Sequence, residues 1–338
     1  GSRLALAQTA LVEDALRSAW PGLETETVIL RTKGDRVQDK PLSQVGQKGV
    51  FVSEFETALL EGRIDLAVHS AKDLPVRLAE GLDILAVLPR ADTPAYFPVL
   101  ACTRREDPRD VLVLPVRAME KPAVSLQRSG GDAALQAFAA FPEGALIGTG
   151  SLRRQLYGKR LCPQADFALI RGNVDSRLKK LQDGGYDGII LAKAGLDRLG
   201  IPEREREHFV FLPIPESTFL PAACQGIIAV ETKKGSDVLK ILEKLNDKKA
   251  ERALFAERKV LRLLGAGCTA AVGVYAKEEN GTFRMDLMRE TKGGVIRTKV
   301  SGASENSMKL AELLVKQGTA GDIPAGKAYL VGAGPGNG

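Results

Sequence analysis

The turn Gly148-Thr149-Gly150-Ser151-Leu152-Arg153-Arg154 follows an apolar run over residues 144–147, which predicts a buried strand. Small residues and hydroxyls ahead of a predicted helix leave backbone N–H groups free to meet an anion. A second turn, Arg171-Gly172-Asn173-Val174-Asp175-Ser176-Arg177, adds further arginines, whose planar guanidinium groups bind carboxylates in pairs. A solvated helix face explains one arginine pair, but the two turns together favour a pocket for a ligand with several carboxylates or phosphates.

The composition is that of a globular protein with more than one domain. The chain has 338 residues, of which 44% are hydrophobic and 27% charged, and this length favours two or three domains. The formal net charge is +6, but only 5% of the residues are aromatic and no dense Lys/Arg tract interleaves with them. We therefore expect small acidic molecules rather than nucleic acid as partners.

The cysteines show no paired C-x-x-C spacing, which argues against a zinc site and against a disulfide framework: Cys102, Cys162, Cys224 and Cys268. The chain also has no apolar run of about 18 residues and no signal peptide pattern. We expect no metal, no membrane span and a cytoplasmic location.

Strand and helix patterns alternate along the chain. Residues 4–19 predict a helix, and residues 64–69 predict a strand that ends in Ser70-Ala71-Lys72-Asp73-Leu74-Pro75. Ligands bind at the carboxyl ends of strands in open α/β sheets, so Lys72 and Asp73 are candidate site residues, with a solvated turn as the alternative. Further patterns predict helices over 51–60, 133–141, 176–182 and 250–264, strands over 25–31, 85–88, 111–114, 186–192 and 227–231, and a strand–strand–helix unit over 269–320 with a hairpin signal at Glu279-Asn280-Gly281.

Two connections differ from their surroundings. The polar segment 32–48 buries little apolar surface, which predicts a mobile lid over the cleft. Residues 91–104 predict a surface insertion, and we expect its removal to leave folding intact, because surface loops accept extra length at little cost.

Six motifs occur in order over roughly residues 1–320: Arg3 with Leu4-Ala5 and Gln8-Thr9, Gly46-Gln47-Lys48-Gly49-Val50-Phe51, residues 65–75, the two arginine turns, and Gly265-Ala266-Gly267-Cys268. Together they resemble the porphobilinogen deaminase family, also called hydroxymethylbilane synthases. The stretch Tyr329-Leu330-Val331-Gly332-Ala333-Gly334-Pro335-Gly336 resembles the opening of a uroporphyrinogen-III C-methyltransferase domain. This second resemblance predicts that the full-length protein is fused to such a domain.

The first resemblance implies an α/β fold with two periplasmic-binding-protein-like lobes and a small α+β third domain. The implied division is residues 1–90 with 222–247 for lobe one, 105–221 for lobe two, 248–320 for the cofactor-carrying domain, and 321–338 for a linker and the start of a further domain.

The resemblance also implies roles for individual residues. Cys268 matches the cysteine that holds a dipyrromethane cofactor through a thioether bond, and Asp73 matches the catalytic carboxylate. The other matching positions bind the cofactor at Lys72, Thr149, Ser151, Arg153, Arg154 and Arg171, and the substrate at Arg3, Lys48, Phe51, Arg177 and Arg198.

The implied activity is that of a transferase in tetrapyrrole and haem biosynthesis. It condenses four porphobilinogen molecules head-to-tail into hydroxymethylbilane and releases ammonia, and a monomer is expected. Two alternatives stay open: a non-catalytic anion-binding module of the same architecture, and a deaminase impaired by deletions. Leu4 follows Arg3 directly where the family has about three intervening residues, and two residues are missing after Arg154.

Overall fold

The computed structural model describes residues 2–30, 53–75, 99–120, 133–233, 235–266 and 270–320. The α-helices of these ranges are α1 Arg3–Ala19, α2 Ser53–Leu60, α3 Ala133–Ala140, α4 Leu152–Leu161, α5 Val174–Gln182, α6 Lys193–Arg198, α7 Ile201–Arg204, α8 Val238–Leu242, α9 Lys248–Leu263 and α10 Ser307–Thr319. The strands are β1 Ala67–Ser70, β2 Val99–Cys102, β3 Asp110–Pro115, β4 Leu146–Thr149, β5 Asp166–Leu169, β6 Gly188–Ala192, β7 Phe209–Pro213, β8 Ile228–Thr232, β9 Val272–Glu279, β10 Thr282–Thr291 and β11 Gly294–Ala303.

The first sheet has the strand order β1-β8-β2, and both pairings are antiparallel. Helix α1 packs on it, with Val12 and Leu16 in one buried cluster with Ile228 and Val230 of the central strand. The predicted helix over residues 4–19 is confirmed, and its first turn is capped by Ser2, whose Oγ accepts a hydrogen bond from the amide of Ala5 at 3.2 Å. The strand predicted over 25–31 is wrong within the described residues, since residues 23–30 are irregular.

The segment 91–104 is not a simple surface insertion. Its described part contains β2, which pairs with β8, and the side chain of Cys102 is completely buried in the core. We therefore now expect the removal of 91–104 to destabilise the protein, because the deletion takes away a strand and a buried side chain. The short apolar run Val99-Leu100-Ala101-Cys102 was the available signal.

The second sheet has the order β5-β4-β6-β3-β7. Strands β5, β4 and β6 are parallel, whereas β3 runs antiparallel to both β6 and β7. Helices α4 and α5 each follow a strand of the parallel part, so the two arginine turns lie at neighbouring carboxyl ends of β4 and β5. This is the edge at which open α/β sheets bind ligands.

The third sheet is a meander of order β11-β10-β9, with α9 and α10 packed against it. The predicted hairpin is confirmed, and Asn280 and Gly281 take φ angles of 49° and 76°, as a tight turn between antiparallel strands requires. Three strands are present where two were predicted. The expected α/β class with a smaller α+β unit is thus confirmed.

Two connections join the first and second sheets. Residues 103–109 run from β2 to β3, and residues 214–227 return from β7 to β8. The buried carboxylate of Glu257 in α9 holds both of them: it accepts hydrogen bonds from Arg105 at 2.6 Å and from the amide of Cys224. Among the described helices, none combines the length and the apolar character that crossing a membrane requires.

Candidate functional site

The Lys72–Asp73 turn lies directly after β1, in a short 3₁₀ segment, Ala71–Asp73. Ala71 and Leu74 on either side of it are 1% and 3% exposed, while Asp73 is exposed. The amide of Ala71 donates to the carbonyl of Ile227 at 3.0 Å, which ties the turn to the connection 214–227. The buried flanks therefore fix a turn that exposes the side chain of Asp73.

Lys72 lies in a crowded cationic environment. Its Nζ is 3.4 Å from Oε1 of Gln225, a buried residue of the connection 214–227. Burial lowers the pKa of Lys72 to about 8; Asp73 opposes that shift, and the nearby Arg154 adds to it. A further anion placed beside Lys72 would therefore stabilise the charged form of this lysine.

The turn after β4 uses both of its hydroxyl groups locally. Oγ1 of Thr149 accepts the amide of Ser151 at 3.2 Å, and Oγ of Ser151 caps α4 by accepting the amide of Arg154 at 3.4 Å. Thr149 is fully buried. These two predicted cofactor ligands thus shape the turn, and their hydroxyls already have partners.

Arg153 and Arg154 are buried on either side of one carboxylate, Asp110. Arg153 reaches Oδ2 at 2.7 Å, and Arg154 reaches Oδ1 through Nη2 at 2.7 Å and Nε at 3.0 Å. Nη1 of Arg153 donates a hydrogen bond to the carbonyl of Leu220, and Nη1 of Arg154 donates one to the carbonyl of Ile190. We predicted both arginines as cofactor ligands, but the structure occupies them with groups of the chain itself.

Asp110 is the site residue that sequence analysis missed. It begins β3, and it is fully buried. Burial alone would raise the pKa of Asp110, but the two arginines, with a hydrogen bond from Gln225 at 2.9 Å, outweigh it and lower the pKa to about 2. An acidic residue at the head of an apolar strand was the only signal, and the sequence does not say what it pairs with.

Arg177 and Arg198 approach the Lys72–Asp73 turn from the second sheet. Arg177 donates from Nε to the carbonyl of Gly172 at 2.8 Å, and its pKa is lowered first by burial and then by Arg154, while Asp73 opposes. Arg198 pairs with Glu106 at 2.8 Å, and burial lowers its pKa against the pull of Glu106 and Asp73. These two predicted substrate-binding residues therefore do gather with Lys72 and Asp73.

The two arginine turns also lie against each other. A Cβ added at Gly150 would be 3.4 Å from the carbonyl of Ile170 and 3.8 Å from the guanidinium of Arg177. Arg171 is partly buried at the start of the second turn. The guanidinium of Arg177 therefore lies beside the first turn, within van der Waals reach of position 150.

Arg3 lies at the rim of the cleft. Its Nη1 pairs with Asp175 at 3.0 Å, and its side chain is 60% exposed. The same carboxylate oxygen accepts Arg204 at 3.0 Å. Three predicted site residues, Lys48, Phe51 and Cys268, lie outside the described residues, as do the proposed lid and the tail 321–338.

Comparison with known proteins gives one consistent result. The family model "Porphobilinogen deaminase, dipyromethane cofactor binding domain" matches residues 1–97 and 91–240. The porphobilinogen deaminase of Roseiflexus castenholzii is 38% identical over 318 residues, which cover 94% of this chain and 92% of that protein. That of Roseiflexus sp. strain RS-1 is 40% identical over 337 residues, covering 98% and 96%.

Among solved structures, the periplasmic VFT2 domain of Bordetella pertussis BvgS covers 74% of this chain and 80% of its own, with 14% identity and a TM-score of 0.36. So low a score carries no argument about the fold. None of these matches supports the methyltransferase domain that we expected from residues 329–336.

Proposed function

Because the chain belongs to the porphobilinogen deaminase family, we propose that the cleft around Asp73 carries out that family's reaction. Four porphobilinogen molecules condense head-to-tail into hydroxymethylbilane, and each condensation releases ammonia. The observation that carries the assignment is that the buried cations Lys72, Arg177 and Arg198 all interact with the exposed carboxylate of Asp73.

The carboxylates of the chain neutralise the cations of this cleft only in part. Burial lowers the pKa of Lys72, of Arg177 and of Arg198, which means that each pays a desolvation cost that its present neighbours do not fully offset. Each porphobilinogen carries an acetate and a propionate, so a growing chain of pyrroles brings the missing charge. A polycarboxylate ligand therefore fits the residues that line this cleft.

A dipyrromethane cofactor fits the same residues. Its carboxylates would be held by Lys72 and Arg171, and its attachment point would be Cys268, five residues after the end of α9 in the sequence. When bound, this group supplies the pyrrole carbon to which the first substrate unit is added. Arg153 and Arg154 would contribute mainly as the wall behind the cleft, because Asp110 already occupies them.

Asp73 has the charge that the chemistry needs. Loss of ammonia from porphobilinogen leaves a methylene-pyrrole cation, and a fixed carboxylate stabilises this charge as it forms. The same carboxylate accepts a hydrogen bond from a pyrrole N–H and assists proton transfer at the reacting carbon. Arg177 and Arg198 hold the substrate carboxylates, and Arg3, Lys48 and Phe51 are the other substrate-binding residues of the proposal.

The domain division that we propose is the one expected from the resemblance, with one change. Lobe one takes residues 1–90 and 222–247, lobe two 105–221, and the third domain 248–320; β2 joins lobe one because it pairs with β8. A cytoplasmic monomer remains our prediction. Fusion to a methyltransferase domain stays a prediction that rests on residues 329–336 alone.

The test replaces the charge of Asp73 while keeping its shape. Asp73→Asn should lower the rate of ammonia release from porphobilinogen by about 10²-fold or more, the scale on which one preorganised electrostatic group acts. Asp73→Glu keeps a displaced charge and should retain more activity. Asp65→Asn, at an exposed carboxylate just before β1, is the matched control and should leave the rate unchanged.

Rates are compared at equal cofactor occupancy, which intact-mass spectrometry measures and which Cys268→Ser should abolish. An Asp73→Asn enzyme as fast as its parent would remove Asp73 from the catalytic role. A parent protein that carries the cofactor and binds porphobilinogen, yet releases no ammonia, would support the non-catalytic or impaired alternatives instead.

A further inference from the structure

Arg258 of helix α9 holds the main chain directly after the Lys72–Asp73 turn. Its Nη2 donates to the carbonyl of Pro75 at 2.6 Å, and its Nη1 lies 3.4 Å from the carbonyl of Leu74. The residue is 3% exposed, so both contacts are made away from water. Charged hydrogen bonds of this kind are short and directional, and they fix the path of the backbone they reach.

Apolar packing joins the same two elements. Ala71 and Leu74, which flank the turn, belong to one buried cluster with Leu254, Ala256 and Val260 of α9. The turn is therefore attached to α9 by packed side chains and by the Arg258 guanidinium together. The turn also contacts the connection 214–227, through the hydrogen bond from the amide of Ala71 to Ile227 and through Lys72, whose Nζ is 3.4 Å from Gln225.

Helix α9 also leads to the proposed attachment point of the cofactor. Arg258 is five residues before the helix end at Leu263, and Cys268 follows five residues later. An α-helix is stiff and rises about 1.5 Å per residue, so a group fixed to its side chains keeps its distance from the helix end. One helix thus contacts the proposed catalytic turn and carries the segment that leads to Cys268.

We propose that Arg258 is a positioning residue of the reaction, which fixes the Lys72–Asp73 turn in register with the cofactor-bearing end of α9. This rests on the proposed function, because it takes Asp73 as the reacting group. The need for such a device follows from the geometry of catalysis: displacement of a charged group by about 1 Å can cost 10²-fold in rate. In this role Arg258 acts through the turn that it holds.

The first experiment reads the position of the turn without using activity. Competitive acylation followed by peptide mass spectrometry gives the pKa of Lys72 in the folded protein. In the parent, burial among Arg154, Arg153, Asp110, Asp73 and Gln225 sets this pKa near 8. Arg258→Met should release the turn toward water and raise the pKa of Lys72 by about one unit or more.

The matched control is Arg252→Met, on the same helix. Arg252 pairs with Glu278 of the third sheet at 2.8 Å and is partly exposed, so its loss should leave Lys72 unchanged. Arg258→Lys keeps a donor and most of the volume, and it should shift the pKa of Lys72 in the same direction by less. Should Arg258→Met fail to fold, the Lys variant decides. A Lys72 pKa equal to the parent value in the folded Arg258 variants overturns the proposal.

The second experiment measures kinetics at equal cofactor loading. Arg258→Met should lower kcat by about tenfold or more and change KM by less than about threefold, with partial rescue in Arg258→Lys. A merely structural residue would lower the melting temperature and leave kcat per loaded enzyme intact, and that result also overturns the proposal. If Asp73→Asn keeps full activity while Lys72 still responds to Arg258, the turn is positioned by Arg258 but the catalytic assignment of Asp73 has failed.

Discussion

The arginines at Asp110 and those at the cleft differ in what neutralises them. Arg153 and Arg154 share a carboxylate that the chain supplies, and both are almost fully buried. Arg177 has a backbone carbonyl as its nearest hydrogen-bond partner, and burial lowers its pKa. In the sequence the two groups look alike, as arginines beside small-residue turns. We propose that the first group mainly holds the fold and that the second keeps charge for a ligand.

The aromatic surroundings strengthen this contrast. The guanidinium of Arg153 lies over the ring of Phe219 at 5.7 Å and near that of Tyr157 at 5.9 Å, which immobilises it between packed side chains. The guanidinium of Arg177 instead lies beside Gly150, 3.8 Å from where a Cβ at that position would be. Removing one partner of a buried and packed ion pair lowers the stability of the fold. Removing a charge that lines a ligand site should instead mainly weaken binding of the ligand.

The largest expected effect comes from removing the shared carboxylate. Asp110→Asn leaves two buried guanidinium groups without an anion and should destabilise the protein by about 3–5 kcal/mol. Asp175→Asn, at a partly exposed carboxylate that also serves two arginines, should cost less than about 1 kcal/mol. Urea denaturation measures both. Equal losses in the two variants would abolish the distinction between a structural pair and a surface pair.

The second largest effect is the loss of stability at low pH, when Asp110 becomes protonated. The pKa of Asp110 is lowered to about 2 from its ordinary value of 3.8. The folded state therefore binds fewer protons than the unfolded state, so the stabilisation is complete above pH 3.8 and is lost as the pH falls through 2. The contribution is about 2 kcal/mol.

This contribution can be measured by comparing how the free energy of unfolding depends on pH in the parent and in Asp110→Asn. Stability followed by chemical denaturation from pH 5 to pH 2 should fall more steeply in the parent than in Asp110→Asn, which has no carboxyl to protonate there. Parallel curves for the two proteins would mean that the arginines do not lower this pKa.

The smallest of the three effects belongs to the cleft arginine. Arg177→Met should raise KM for porphobilinogen about tenfold and alter the free energy of unfolding by about 1 kcal/mol or less, because it removes a binding charge and one backbone contact. Arg154→Met should have the opposite balance: its loss of stability should exceed that of Arg177→Met, and its effect on KM should be smaller. A stable Arg154 variant with a raised KM would return Arg154 to the list of ligands.

Periodicity was enough to predict elements that are long and half-buried. The helix expected over 250–264 is observed at Lys248–Leu263, and the hairpin at Asn280-Gly281 lies where its turn residues indicate. The helix is predictable because one of its faces is apolar over many residues. The hairpin turn is predictable because few residue types accept a positive φ. The polar turn after β1 was likewise predictable from its place at the end of a strand.

Pairing between distant residues was not predictable. Asp110 is 43 residues from Arg153, and nothing in either segment identifies the other as its partner. Strand β2 has four residues, too few for a pattern that separates a strand from an apolar loop, and its identity comes only from pairing with β8. The same holds for Arg258, whose contacts with Leu74 and Pro75 span more than 180 residues of sequence.

The strand order of the first sheet has a consequence for biosynthesis. Its central strand, β8, follows β2 by well over a hundred residues, whereas the whole second sheet lies within the continuous stretch from β3 to β7. A ribosome therefore delivers every strand of the second sheet before it delivers the strand that β1 and β2 both need. Until then no strand of the described residues lies between β1 and β2, and the proposed catalytic turn after β1 belongs to a sheet that is still open.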